Sequence, residues 1–131
     1  MKKDSLIILA FILLLGCQSK SVVDPVSTME DKPISLPAST CASSLTLDAE
    51  VTQREGRVGY RDDLNLYYIN VYLGGIDTSV SGLVCNMPDE LKKVDQKVVF
   101  DGVYYTDRQL PSPRMGGETM RYLVLKSVRK N

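Results

Sequence analysis

The sequence predicts a small all-β domain: a five-stranded Greek-key barrel with one short helix between its third and fourth strands. Two observations support this prediction. Segments in which polar and apolar residues alternate, rich in Val, Ile and Tyr, recur from residue 44 to residue 128, and such alternation is typical of strands. The clearest helical signal falls between the third and fourth of these segments. A small β-sandwich is the alternative architecture.

The first half of the domain contains three predicted strands. The first is SLTLDAEV (44–51), and the triplet Arg54–Gly56 that follows it predicts a turn. The second strand begins at residue 57, and its strongest part is LYYINVYL (66–73), where Tyr67, Ile69 and Val71 share one face. Two glycines end it, and GLVC (82–85) is the third strand.

The second half contains the helix and two further strands. In NMPDELKKV (86–94), Asn86 is placed to cap a one- to two-turn helix and Pro88 suits its first turn. The fourth strand is Lys97–Asp107 with a bulge at Gly102, and the last is Thr119–Val128. Three strands, a helix and two strands is the element order of the OB-fold.

The composition argues against an enzyme. The chain has no histidine, so it cannot build a Ser–His–Asp site, a Cys–His site or a zinc site that uses histidine. The acidic pairs Asp62–Asp63 and Asp89–Glu90 lack the spacing of a calcium loop or of glycosidase chemistry. Sixteen basic and sixteen acidic residues balance, which argues against nucleic-acid binding. We therefore expect no catalysis, no metal and no cofactor.

The N-terminus has the form of an export signal. Two lysines precede the uncharged run Leu6 to Leu15, which is too short to span a bilayer as a helix. The run ends in LLGC, which resembles the lipobox of bacterial lipoproteins. The resemblance implies that residues 1–16 are removed and that Cys17 is acylated, so that lipid chains attach the protein to a membrane. The proline-containing segment 17–40 is then a flexible tether, and 41–131 is the barrel domain.

The same resemblance suggests a location in the bacterial cell envelope. An aspartate after the lipidated cysteine would retain such a lipoprotein at the inner membrane, and Gln18 stands there instead. The outer membrane is therefore expected. Whether the domain faces the periplasm or the cell exterior is left open.

With Cys17 assigned to lipid, two of the three cysteines remain, Cys41 and Cys85. Exported proteins fold in an oxidising compartment, where two thiols in a small domain usually form a disulfide. A redox-active pair is the alternative, but the chain has no C-x-x-C motif and no histidine to lower a thiol pKa. We expect a structural bridge.

The C-terminal half carries a second resemblance. It is similar to a pattern in small, mostly uncharacterised lipoproteins of Gram-negative bacteria, which implies an OB-like barrel and no particular activity. The matching positions are Asn86, Met87, Pro88, Leu91, Lys92, Val98, Phe100, Gly102, Ser127, Val128 and Lys130. Cys85, directly before the asparagine, departs from that pattern.

Four residues are candidates for ligand binding. Neighbouring tyrosines point to opposite faces of a strand, so Tyr67 and Tyr105 can each present an exposed ring to a sugar or a protein. Arg108 and Arg114 lie in the loop before the last strand, where OB-folds often bind, and suit an anionic group. The sequence thus predicts an envelope binding module for a protein, peptide or glycan. The alternative is an inhibitor or immunity-type protein against a hydrolase such as lysozyme.

Overall fold

The computed structural model describes residues 32–41 and 43–131, and within them it confirms the five-stranded barrel. The strands close in the order β1-β2-β3-β5-β4, with β3 and β5 parallel and the other pairs antiparallel. This is the OB-fold arrangement that the element order predicts, and it excludes the β-sandwich. The elements are β1 (Thr46–Arg61), β2 (Leu66–Tyr72), β3 (Ser79–Val84), a 3-10 turn (Asp89–Leu91), β4 (Lys97–Thr106) and β5 (Glu118–Lys130).

β1 corrects one prediction, because the chain does not turn at Arg54–Gly56. The strand bends there instead: its pairing with β4 shifts between Val51 and Arg54, and Gln53 has a φ of 48°. A bulge of this kind sharpens the twist of a strand without reversing it. The first part of β1 therefore pairs with β4 and its last part with β2. Gly56 fits this bend because a Cβ atom there would collide with the side chain of Ile69.

The helical segment is shorter than predicted, and Asn86 does not cap it. A single 3-10 turn forms, with Pro88 at its N-cap position and no side-chain hydrogen bond there. Asn86 instead binds the backbone of Leu125 in β5, donating to its carbonyl oxygen at 2.9 Å and accepting from its N–H at 2.8 Å. The turn places Leu91, which is fully buried, in the barrel core.

The core is apolar and draws on all five strands. Its most buried large side chains include Val58, Ile69, Phe100 and Leu123. The bulge predicted at Gly102 is confirmed by a shift in the β4–β5 register next to it. Among the described residues, helices long and apolar enough to cross a membrane are absent.

The chain joins the barrel before Cys41, within the segment predicted as a tether. Ile34 and Leu36 are half-buried and pack against the core, although residues 32–40 form no regular strand. Apolar contact orders this part of the chain because it removes two side chains from water. The rest of the predicted tether, together with the signal segment and Cys17, lies outside the described residues.

Candidate functional site

A groove of about 830 Å³ runs along one end of the barrel. One wall is the N-terminal segment 35–40, the floor is the β1–β2 hairpin, and the other wall is the connection from β3 to the 3-10 turn. Its volume is within the range of ligand-binding clefts. The groove is larger than three other clefts of the described residues and is the candidate site.

Two tyrosine rings form the floor of the groove. Tyr60 and Tyr67 face each other directly in the β1–β2 register, with ring centroids 4.8 Å apart and planes tilted by 51°. Tyr67 packs partly against the core, whereas 37% of Tyr60 is exposed. Tyr60 donates a hydrogen bond to the side-chain oxygen of Asn65, which lies in the connection between the two strands. This bond holds the Tyr60 hydroxyl while its ring remains accessible.

The N-terminal wall is tied to the barrel by covalent and hydrogen bonds. Cys41 and Cys85 form a disulfide with a Cα–Cα distance of 5.2 Å. Thr40 donates to the Cys85 carbonyl oxygen twice, from its backbone N–H at 2.8 Å and from its hydroxyl at 2.7 Å. The wall is therefore held at one end by three bonds to a single buried residue.

The opposite wall carries the charged groups of the groove. Lys92 and Asp89 form an ion pair across the 3-10 turn. Their hydrogen bond lowers the pKa of Asp89 and raises the pKa of Lys92, so both remain charged at neutral pH. Glu90 lines the same wall without an ion pair among the described residues. The groove thus combines aromatic, amide, acidic and basic groups.

A separate cluster holds the loop before β5 against the β1–β2 connection. Arg61 is 6% exposed; it binds both carboxylate oxygens of Asp63, at 2.8 and 2.6 Å, and donates to the carbonyl oxygen of Ser112 at 3.2 Å. Arg114, in the loop, pairs with both Asp62 and Asp63. The hydrogen bond from Arg61 holds the pKa of Asp63 well below its usual value, and the bond from Arg114 lowers that of Asp62. The arginine and aspartate charges neutralise each other within the cluster.

The four predicted binding residues do not meet in one site. Tyr67 lies in the groove, whereas Arg114 is engaged by the two aspartates of the cluster. Tyr105 is half-buried on β4, opposite Leu47 and Tyr122. Arg108 is exposed in the loop and makes no ion pair within the described part of the chain.

Sequence reasoning missed Tyr60, Asn65 and Lys92 as groove residues. The signal for Tyr60 was present in YRDDLNLY (60–67), where a four-residue connection at 62–65 pairs the two terminal tyrosines across a hairpin. Because a turn was predicted at Arg54–Gly56, Tyr60 and Tyr67 were assigned to the same strand and their pairing across a hairpin was overlooked. Lys92 carried no comparable signal, because only the 3-10 turn brings it to the groove.

The described residues contain no group of three or more Cys, Asp or Glu side chains that could hold a metal ion. Comparison with models of known protein families finds no match for the chain, and comparison with curated proteins finds no similar sequence.

Proposed function

We propose that this chain is a lipid-anchored protein of the bacterial cell envelope whose barrel is a non-catalytic module that binds a glycan. The observation that carries the proposal is the groove with the Tyr60–Tyr67 pair at its floor. The apolar C–H face of a sugar ring packs well on a tyrosine ring, whose amphipathic character suits a half-wet site. The exposed part of Tyr60 is available for this contact.

The side chains at the rim of the groove favour a glycan as the ligand rather than a strongly charged molecule. Sugar hydroxyls both donate and accept hydrogen bonds, and the rim offers the amide of Asn65, the carboxylate of Glu90 and the ammonium of Lys92. Because the Lys92 charge is already balanced by Asp89, the charge left unpaired among the described lining residues is that of Glu90, which disfavours an anionic ligand. Neutral or weakly charged saccharides match this lining best.

The proposed anchor is compatible with this use of the barrel. Lipid on Cys17 would leave residues 18–31 between the membrane and the groove wall, and a fully extended chain of that length reaches about 50 Å. The groove would then sample the envelope within this distance of the membrane. Lipidation is tested by mass spectrometry of the membrane fraction, where the mature N-terminus should be an acylated Cys17 and Cys17→Ser should release the protein.

Retention on purified peptidoglycan tests glycan binding. We expect the full chain to be retained, and Tyr60→Ala to weaken retention about tenfold because the stacking ring is lost. Tyr72→Ala is the matched control, since Tyr72 is an exposed strand tyrosine outside the groove. Failure of the wild-type chain to bind, or equal loss in the control, would overturn the proposal. Recovery of a muralytic enzyme from envelope extract, in place of glycan, would favour the inhibitor alternative.

A further inference from the structure

The outward face of β2 carries a row of two aromatic rings with an amide between them. Ile69 and Val71 of this strand lie in the core, so the alternate residues Tyr68, Asn70 and Tyr72 point to the opposite face of the sheet. A strand rises about 3.3 Å per residue, which separates the first and last of these side chains by about 13 Å. We call these three residues the β2 row.

Both tyrosines of the β2 row are held by contacts with the backbone. The Tyr68 ring lies directly on β1, because a Cβ atom at Gly59 would be 2.2 Å from its Cζ atom. The Tyr72 hydroxyl donates a hydrogen bond to the carbonyl oxygen of Gly75. Side chains that are already held in this way lose little conformational entropy when a ligand binds to them.

The amide between the tyrosines is oriented by hydrogen bonds. Asn70 donates to the hydroxyl oxygen of Ser81 at 2.9 Å, and Ser81, which is fully buried, donates in turn to Glu118. An asparagine amide has two N–H donors and one acceptor oxygen. The bond to Ser81 uses one donor, which leaves the second N–H and the oxygen of half-buried Asn70 for a ligand.

The β2 row lines a cleft of about 560 Å³ on the outside of the barrel. Val94, which precedes β4, and Met115, which precedes β5, line the same cleft, and both are more than half exposed, as is Tyr72. Exposed apolar side chains that cluster within a polar rim mark interaction surfaces, where Tyr and Met are enriched. The cleft shares no lining residue with the proposed glycan groove, so it is a separate surface.

The lining of this cleft favours a peptide over a sugar or a nucleic acid. The side chains of Val94 and Met115 offer almost nothing to which sugar hydroxyls could bond. Phosphate groups are disfavoured because the acidic lining residues outnumber the basic ones by one; they are Glu55, Asp95 and Glu118 against Arg57 and Lys97. An extended peptide has the same two-residue period as β2, so its alternate side chains match the spacing of the row.

We propose that this cleft binds an extended segment of another protein, in which two apolar side chains at positions i and i+4 flank a polar side chain at i+2. The apolar side chains lie on the rings of Tyr68 and Tyr72, and the polar one bonds to the free groups of Asn70. Val94 and Met115 add apolar surface beside the row. The excess acidic charge of the lining selects a neutral or basic segment over an acidic one.

Titration of the full chain with a synthetic peptide, followed by the methyl NMR signals of Val94 and Met115, tests the proposal. The peptide is Leu-Thr-Asn-Thr-Leu with a lysine at each end. The comparison peptide, Leu-Thr-Asn-Leu-Thr with the same lysines, has the same composition, but its second leucine at i+3 points to the other side of an extended chain. We expect saturable binding of the first peptide, about tenfold weaker for the comparison peptide and about tenfold weaker in Tyr72→Ala.

Leu47→Ala is the matched control, because Leu47 is a strand residue about as exposed as Tyr72 but lies outside the cleft. It should bind the peptide as wild type does. Tyr60→Ala should also leave peptide binding unchanged, although it weakens retention on peptidoglycan, whereas Tyr72→Ala should do the reverse. The two surfaces can therefore be tested independently of each other.

Three results would overturn the proposal. The first is the absence of a saturable shift with about 5 mM peptide, a concentration above the millimolar dissociation constants at the weak end of specific binding. The second is equal affinity for the two peptides, since the spacing of the row would then select nothing. The third is a shift of the Met115 signal that grows with protein concentration alone, which would show that a second copy of the chain covers this face.

Discussion

Tyr104 is a single residue whose burial makes the stability of the fold depend on pH. Its hydroxyl is removed from water by the barrel, and the ionised phenolate is disfavoured there because nothing in the described residues donates to it. The pKa consequently rises from the ordinary value of 10.0 to about 12. The unfolded chain loses this proton at lower pH than the folded chain does, so Tyr104 links folding to alkaline pH.

Stability should fall in alkali because of this residue. Below pH 10 both states hold the proton, and between about pH 10 and 12 the unfolded state releases it first, which favours unfolding. We expect the free energy of unfolding of wild type to drop by about 1.4 kcal/mol more than that of Tyr104→Phe between pH 9 and 11. Urea unfolding at these pH values measures the difference. Parallel pH curves for the two proteins would contradict the prediction.

At the level of secondary-structure elements, Asn86 holds the connection between β3 and β4 against β5, and it does so without capping a helix. This side chain is 5% exposed and bonds both the N–H and the carbonyl oxygen of Leu125. In a longer ladder these two groups would pair with the parallel strand β3, which ends at Val84. Asn86 thus extends the sheet pairing to a segment that has no strand conformation, and it positions the 3-10 turn that plugs the barrel.

Asn86→Ala should therefore destabilise the protein strongly. The change leaves one buried donor and one buried acceptor of Leu125 unpaired, which we expect to cost about 2–4 kcal/mol. Asn70→Ala is the matched control, because Asn70 is half-buried and donates one hydrogen bond, to Ser81 at 2.9 Å, and it should cost less than about 1 kcal/mol. Equal losses in urea denaturation of the two variants would contradict this role for Asn86.

In the molecule as a whole, strand pairing closes the barrel, but it does not hold the preceding segment, residues 32–40, in place. Residues 32–40 add no strand, and their apolar contacts come from Ile34 and Leu36. The Cys41–Cys85 disulfide, at a sequence separation of 44, and the two Thr40 bonds to Cys85 hold this segment beside the groove. The disulfide consequently supports both the fold and one wall of the proposed glycan site.

Removing the disulfide should lower stability and loosen that wall together. A bridge closing a loop of this length contributes about 4 kcal/mol in the chain-entropy model, and measured values are commonly 2–4 kcal/mol. We expect Cys41→Ala/Cys85→Ala to lose about this much in urea denaturation and to increase amide exchange of residues 34–40. A loss below about 1 kcal/mol with unchanged exchange would show that apolar packing alone holds the segment.

Local pattern predicted most of the architecture. Strand number and the shared face of Tyr67, Ile69 and Val71 follow from period-two alternation, whereas the strand order follows from the OB-like order of elements and the bulge from the glycine at position 102. The Cys41–Cys85 disulfide could be predicted because the chain has three cysteines and the lipobox resemblance assigns the third, Cys17, to lipid. The site was harder to predict, and only Tyr67 of the four candidate binding residues lies in the groove.

The sequence by itself determined an all-β barrel with a short plug, since local alternation and turn residues suffice for that conclusion. Only the tertiary structure decided that β1 bends at Gln53 instead of turning, that Asn86 binds β5, and that Arg114 pairs with aspartates of this chain instead of being available to an anionic ligand. These outcomes depend on register and on partners dozens of residues away. A local pattern carries no information about such distant partners, and closing the barrel is what brings them together.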